Sequence, residues 1–206
     1  MIDGNNRARV TSLDVSGLPS FGFGHRSLMW WGTAGIIAIE GTVFALTIFA
    51  YLYIRTAVDQ WPPGVAPPQL RWGTLNTLVL LASLAPNHFT KRAAERFDLN
   101  GVRLWLSVGL VFALAFLTLR IFEFQSLNVR WDTNAYGSTV WMLLGLHTVH
   151  LLTDTYDSLV LDVLMFSGPL EDKRFVDVSE NTVYWYFVVL AWLPIYAVIY
   201  LAPRYL

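Results

Sequence analysis

Cysteine is absent from the 206-residue sequence, which excludes disulfides, thiolate catalysis, zinc–cysteine sites and iron–sulfur clusters. Charge is scarce too: 14% of residues are Asp, Glu, Lys or Arg, where soluble domains average roughly 25%. The net charge of −1 leaves no basic surplus for nucleic acid, so no nucleic-acid partner is expected. Histidine is limited to His25, His88, His147 and His150. There is no Gly-rich phosphate loop, no nucleophile triad and no haem-type histidine pair on facing helices. The first stretch, Met1–Arg26, is polar and has no apolar core of its own, so a signal peptide is not expected there. Membrane insertion is then expected to rely on the first long apolar segment.

Apolar residues fill the space that charge leaves. They make up 55% of the chain, with 15% aromatic, and they gather into long uncharged runs. Such runs point to an all-α, polytopic membrane protein. The pattern predicts a mobile N-terminal arm over residues 1–27, followed by a five-helix transmembrane domain over residues 28–206. The helices are expected at about 28–54, 72–88, 104–122, 136–166 and 183–201. Asn5, Asn6, Gly17, Pro19 and Gly22 break any period in the arm. The Trp61-Pro62-Pro63-Gly64 and Pro67-Pro68 stretches cannot be helical, and Trp61 suits a membrane interface. Lys91–Arg103 reads as a charged loop or helix extension. Glu171, Asp172, Asp177 and Glu180 read as an acidic loop after Gly168-Pro169. No internal repeat is visible, and an odd helix count argues against a duplicated transporter.

Five helices would put the termini on opposite sides. One side would carry nine basic residues: Arg7, Arg9, Arg26, Lys91, Arg92, Arg96, Arg103, Lys173 and Arg174. The other would carry five: Arg55, Arg71, Arg120, Arg130 and Arg204. The positive-inside rule then places the N-terminus inside and the C-terminus outside.

Glu40 stands near the middle of the first apolar run, Trp30–Arg55. An ionisable group at that depth costs on the order of 2.5–3.5 kcal/mol on insertion scales. It must be paired, protonated or turned toward protein. The fourth predicted helix carries His147, His150, Asp154 and Asp157 at spacings of three, four and three, which puts them on one narrow face. Asp162 lies off that stripe. Val140, Trp141, Leu143, Leu144, Leu146, Val149, Leu151 and Leu152 give the segment an apolar side, so the polar seam must look into the bundle. Glu40 and His150 both fall within about one turn of the midplane on antiparallel helices, at ~1.5 Å per residue. They are expected to pair, with His147 as the alternative partner. His147, His150 and Asp154 also have ligand-compatible spacing for iron, copper or zinc. Yet membrane di-iron enzymes carry many more histidines, and packed seam groups are the simpler reading, so no metal site is assigned. Arg120 and Glu123 read as an interfacial ion pair, and Asn76 as ordinary helix–helix glue.

Taken in order, these pieces resemble subunit III of the haem-copper terminal oxidases, the cytochrome c oxidase family, in a short five-helix bacterial form. They are IAIEGTVFALTIFAYLYIR with Glu40, WPPG at 61–64, LNTLVLLAS at 75–83, FEF at 122–124, YGST at 136–139, LGLHTVHLL at 144–152 and ENTVYWYFVVLAW at 180–192. The resemblance covers nearly all of residues 28–203. It implies a non-catalytic, stabilising subunit with no haem or copper of its own, those being in the partner subunit I. It also implies bound phospholipid, contacts with subunit I and other oxidase subunits, an influence on proton uptake at the inner side, and a multi-pass place in the bacterial plasma membrane. No catalytic residue is expected on this chain. By the resemblance, Glu40, Glu123, His147, His150 and Glu180 are the positions to examine for lipid or subunit I contact, and Asp154 and Asp157 join them from the seam. Longer members have two further helices at the front, so the lipid cleft made with those helices is expected to be absent or altered. Tyr186 and Val189 stand where the family often has histidine and aspartate, and Asp154 and Asp157 add polarity.

Alternatives stay open at this level. Related short proteins serve as accessory proteins of nitric oxide reductases. From another class, His147, His150 and Asp154 would serve a small membrane metalloenzyme. A proton or solute carrier using Glu40 and the seam as a relay is a further reading.

Overall fold

The computed structural model describes residues 22–168 and 171–205. Most of the expected arm lies outside those residues; its described end forms a 3₁₀ turn at Gly24–Arg26. All regular structure among the described residues is helical: α1 (Leu28–Thr56), α2 (Leu70–Ala82), α3 (Leu84–Glu95), α4 (Leu99–Gln125), α5 (Ala135–Ser167) and α6 (Asp172–Tyr196). The last helix continues through a π-helical turn at Ala197–Leu201 into a final turn at Ala202–Tyr205. Three of these are long and apolar enough to cross a membrane by length and composition: Leu28–Thr56, Leu99–Gln125 and Asp172–Tyr205.

Four boundaries differ from the sequence reading, each for a physical reason. The second predicted helix does not stop at residue 88. It breaks at Ser83, because Pro86 has no N–H to give the carbonyl one turn back, and resumes as α3. Ser83 Oγ receives Trp185 Nε1 at 2.9 Å, so α6 closes the break. In α3, Ala93 and Ala94 turn inward while Lys91 and Glu95 pair at 3.8 Å on the outside. The charged stretch 91–103 is therefore mostly helix, interrupted around Arg96–Asp98. Asp98 then caps α4, accepting from Gly101 N at 3.1 Å, which brings Arg103 onto that helix, where its Nε donates to Met165 O at 2.8 Å. Finally, the expected acidic loop is largely the first turns of α6. Asp172 sits in the first turn, where the helix dipole favours an acid. Ser179, Glu180 and Thr182 are buried. They look like loop residues by composition, yet they face neighbouring helices.

We call the end of the bundle where α1, α4 and α6 begin the base, and the opposite end the crown. α6 packs on α1, α2, α3 and α5, and α4 packs on α2, α3 and α5. α1 touches mainly α5 and α6, which leaves Ile39, Leu46, Phe49 and Tyr53 exposed. The main core runs between α4, α5 and α6 through Phe116, Leu143, Leu144, Val188 and Trp192. A smaller core at the base joins Ala94, Val102, Met165 and Phe175. At the crown the WPPG loop folds onto the bundle: Trp61 Nε1 donates to Tyr51 OH at 3.0 Å, and its ring stands edge-on to Tyr51 and Tyr136.

Candidate functional site

The seam on α5 divides in two. Its crown half begins with Arg120 and Glu123, one turn apart on α4. Arg120 Nη1 donates to Glu123 Oε2 at 2.8 Å, with side-chain exposures of 2% and 0%. The expected interfacial pair is instead fully buried. The long stretch of α4 up to Gln125 carries Glu123 into the bundle, where Asn76 Nδ2 of α2 also donates to Oε2. Tyr200 OH donates to Oε1 at 2.5 Å. The Arg120 guanidinium lies over the Trp192 ring at 4.3 Å and the Phe116 ring at 4.7 Å, a placement that favours a desolvated cation.

Arg120 Nη2 reaches His147 Nδ1 at 3.2 Å. A guanidinium only donates, so Nδ1 accepts and His147 carries its proton on Nε2. That N–H donates to Val188 O at 3.1 Å. Both ring nitrogens are therefore committed within the bundle.

One glycine makes this arrangement possible. A Cβ on Gly73 would stand 2.5 Å from the Tyr200 ring. The missing side chain lets the phenol lie against α2 and reach Glu123. In membranes, small residues that allow such close approach are the usual basis of helix association.

The base half of the seam points elsewhere. His150 Nδ1 donates to Leu146 O at 2.6 Å on its own helix, so Nε2 is the nitrogen left for a neighbour. Glu40 Oε1 stands 3.4 Å from it. The other Glu40 oxygen receives Tyr184 OH at 2.6 Å. The depth-matched pair of Glu40 and His150 is thus formed, and α6 adds a third member.

Asp154 is 1% exposed, and neither carboxyl oxygen has a hydrogen-bond partner among the described residues. It interacts electrostatically with Asp157 and Glu40. Asp157 is exposed and, with Glu40, Thr33, Asp177, Asn181 and Tyr184, lines a cleft of about 600 Å³ between α1, α5 and α6. Glu180 borders the same cleft and takes a backbone hydrogen bond from Gly24. Asp162, off the stripe, accepts from Ser107 Oγ at 3.0 Å and ties α5 to α4.

The candidate residues are therefore not brought to one place. Glu123 and His147 belong to the crown cluster, while Glu40, His150, Asp154, Asp157 and Glu180 belong to the cleft. No three His, Asp or Glu side chains among the described residues come close enough to hold a metal ion. His147 is turned away from His150 and Asp154 by its bonds to Arg120 and Val188. Sequence reasoning missed Tyr184 and Tyr200. Tyr184 lies inside the ENTVYWY stretch, but nothing in its spacing points to Glu40, 144 residues away. Gly73 is the only trace of Tyr200's position, and it is legible only with α2 and α6 side by side.

Comparison with known proteins gives these positions a context. Residues 27–203 match the family described as Cytochrome c oxidase subunit III. Cytochrome c oxidase subunit 3 of Thermostichus vulcanus is 27% identical over 81% of this chain and 83% of its own length. The protein of the same name from Synechocystis sp. is 26% identical over 86% of this chain and 77% of its own length. Heme-copper oxidase subunit I+III of Aeropyrum pernix is 25% identical over 85% of this chain, which covers 22% of that longer protein. The match takes in every helix of the bundle and both halves of the seam, and the chain belongs to the cytochrome c oxidase subunit III family.

Proposed function

We propose that the chain is the non-catalytic, stabilising subunit III of a haem-copper terminal oxidase, held in the bacterial plasma membrane against the catalytic subunit I. The single observation that carries this reading is the family match over residues 27–203, which spans the whole described bundle. A relative whose name joins subunits I and III in one chain supports subunit I as the partner. The haem and copper of the complex, and its oxygen chemistry, belong to that partner.

All five helical segments cross the membrane, with the base on the inner side. α5, at 33 residues, spans about 50 Å at ~1.5 Å per residue. Its acids are turned into the bundle or the cleft, which lets it cross despite its charge. α2 and α3 cross together as one helix broken at Ser83. The basic residues Lys91, Arg92, Arg96, Arg103, Lys173 and Arg174 lie at the base, which agrees with an inner location. α1, with its exposed apolar face, is free to meet lipid or subunit I. Phospholipid suits the cleft, whose lining joins apolar and ionic side chains.

The metalloenzyme reading loses its ligand set, because His147 is committed elsewhere. The nitric oxide reductase branch is favoured by no observation here. Affinity purification of the tagged chain from its own membrane tests the proposal. The expected result is co-elution with a haem-bearing, copper-containing partner of oxidase type. Recovery of the chain with a nitric oxide reductase, or with no haem protein under conditions that keep oxidase complexes intact, would overturn it.

A further inference from the structure

Four features of the seam, taken together, describe an opening at one end and a closure at the other. At the base, the cleft brings Asp157 to the surface. One turn deeper, Asp154 is buried with both carboxyl oxygens unpartnered among the described residues. It interacts with Asp157 on one hand and Glu40 on the other. Next to it, Glu40 Oε1 faces His150 Nε2 at 3.4 Å. Beyond that pair the route ends. His150 Nδ1 is held by Leu146 O, and both nitrogens of His147 are held by Arg120 and Val188 O. Phe44 fills the space beside both imidazoles, with ring centroids 4.9 Å and 6.3 Å away.

We propose that Asp157, Asp154 and the Glu40–His150 pair form a dead-end proton-exchange site, reached from the base through the α1–α5–α6 cleft and sealed from the crown. The ligand is the proton, carried by water from the cleft. The only bonds that change are O–H on the carboxyls and water, and N–H on His150. The ionisable groups facing the site are Glu40 from α1, His150 and Asp157 from α5, and Tyr184 from α6, with Arg174, Asp177 and Glu180 at the cleft wall. Tyr184 donates to Glu40 and thereby fixes which Glu40 oxygen faces His150. The site stores and exchanges protons near mid-bundle and conducts none across. It does not depend on which enzyme the chain accompanies.

Two measurements on the full-length chain test this. In the first, the chain is reconstituted into liposomes carrying a pH gradient. The gradient should decay at the rate of empty liposomes; faster decay would mean that the seam conducts and would overturn the closure. In the second, infrared spectra follow transfer of the detergent-solubilised chain from H2O to D2O. An isotope-sensitive carboxyl band should vanish in Asp154→Asn. Asp157→Asn, an exposed position that leaves packing intact, should slow that band's exchange severalfold and carries the test alone if Asp154→Asn does not fold. Tyr200→Phe, at the crown, should leave the exchange rate unchanged. An unchanged band and rate in the Asp154 and Asp157 variants would overturn the site. Equal slowing by Tyr200→Phe and Asp157→Asn would overturn its one-sidedness.

Discussion

The two halves of the α5 seam solve the same problem in opposite ways. Both place ionisable groups inside an apolar bundle, where each costs several kcal/mol unless partnered. At the crown, Arg120 balances Glu123, and every polar neighbour is tied to one of them: Asn76, Tyr200 and His147. The result is dense and shared by α2, α4, α5 and α6. At the cleft, acids outnumber bases, Asp154 lacks partners among the described residues, and Glu40 keeps 25% of its side chain exposed. Asn76 Oδ1 and Arg120 Nε have no hydrogen-bond partner among the described residues, yet the opposite charges of Arg120 and Glu123 balance, and that balance makes the crown a lock that holds four helices in register. The surplus of acids at the cleft has no such balance, and Asp154 stands without a hydrogen-bond partner among the described residues one turn below the exposed Asp157. Buried polar groups in one helix thus meet two environments, set by whether the neighbours supply opposite charge.

That contrast predicts unequal sensitivity to mutation. Arg120→Ala should do the most damage, since it strands Glu123 at 0% exposure; breaking a buried pair costs about 3–5 kcal/mol. SDS-induced unfolding of the purified chain measures it. A double change of Arg120 and Glu123 to leucine should cost much less than the sum of the single changes. Additive losses would mean that the crown is not one coupled unit. Gly73→Ala comes next, because its Cβ would collide with the Tyr200 ring, and overpacking costs about 1–3 kcal/mol. Combining it with Tyr200→Ala should recover part of that loss, as read by the same unfolding assay. Tyr200→Phe leaves one Glu123 oxygen without its donor and should cost about 1–3 kcal/mol. Tyr184→Phe, its counterpart in the cleft, should cost only about 0.6 kcal/mol, the average for an interhelical hydrogen bond in a membrane. Similar losses for the two tyrosines would erase the distinction between lock and cleft. Least of all, Glu40→Ala should leave oxygen reduction by the complex intact, measured with an oxygen electrode, while weakening retention of this subunit during purification. Complete loss of oxygen reduction in an intact complex would place Glu40 in the chemistry instead.

Much of this was legible in the order of residues. Hydrophobic run length located the helices, because a segment that buries its backbone in an apolar medium must be helical. The 3-4-3 spacing of His147, His150, Asp154 and Asp157 put them on one face, since helical geometry is local. Depth matching brought Glu40 to His150, because rise per residue is constant along both helices. Polar composition misled where packing overrode it: Ser179, Glu180 and Thr182 resemble a loop but are buried in α6. Pro86 shows the reverse, a single residue whose missing N–H splits a helix that apolar composition alone would leave whole.

Residue order therefore determined the all-helical class, the polar face of α5 and the family, because these follow from local periodicity and from ordered motifs. Only the tertiary structure decided that the face is two sites. Which way His147 points depends on Arg120, 27 residues earlier, and on Val188, 41 residues later. Whether Tyr200 meets Glu123 depends on a glycine in another helix. Hydrogen-bond partners lie within about 3 Å in space at any separation along the chain, so a pattern with a period of a few residues carries no record of them.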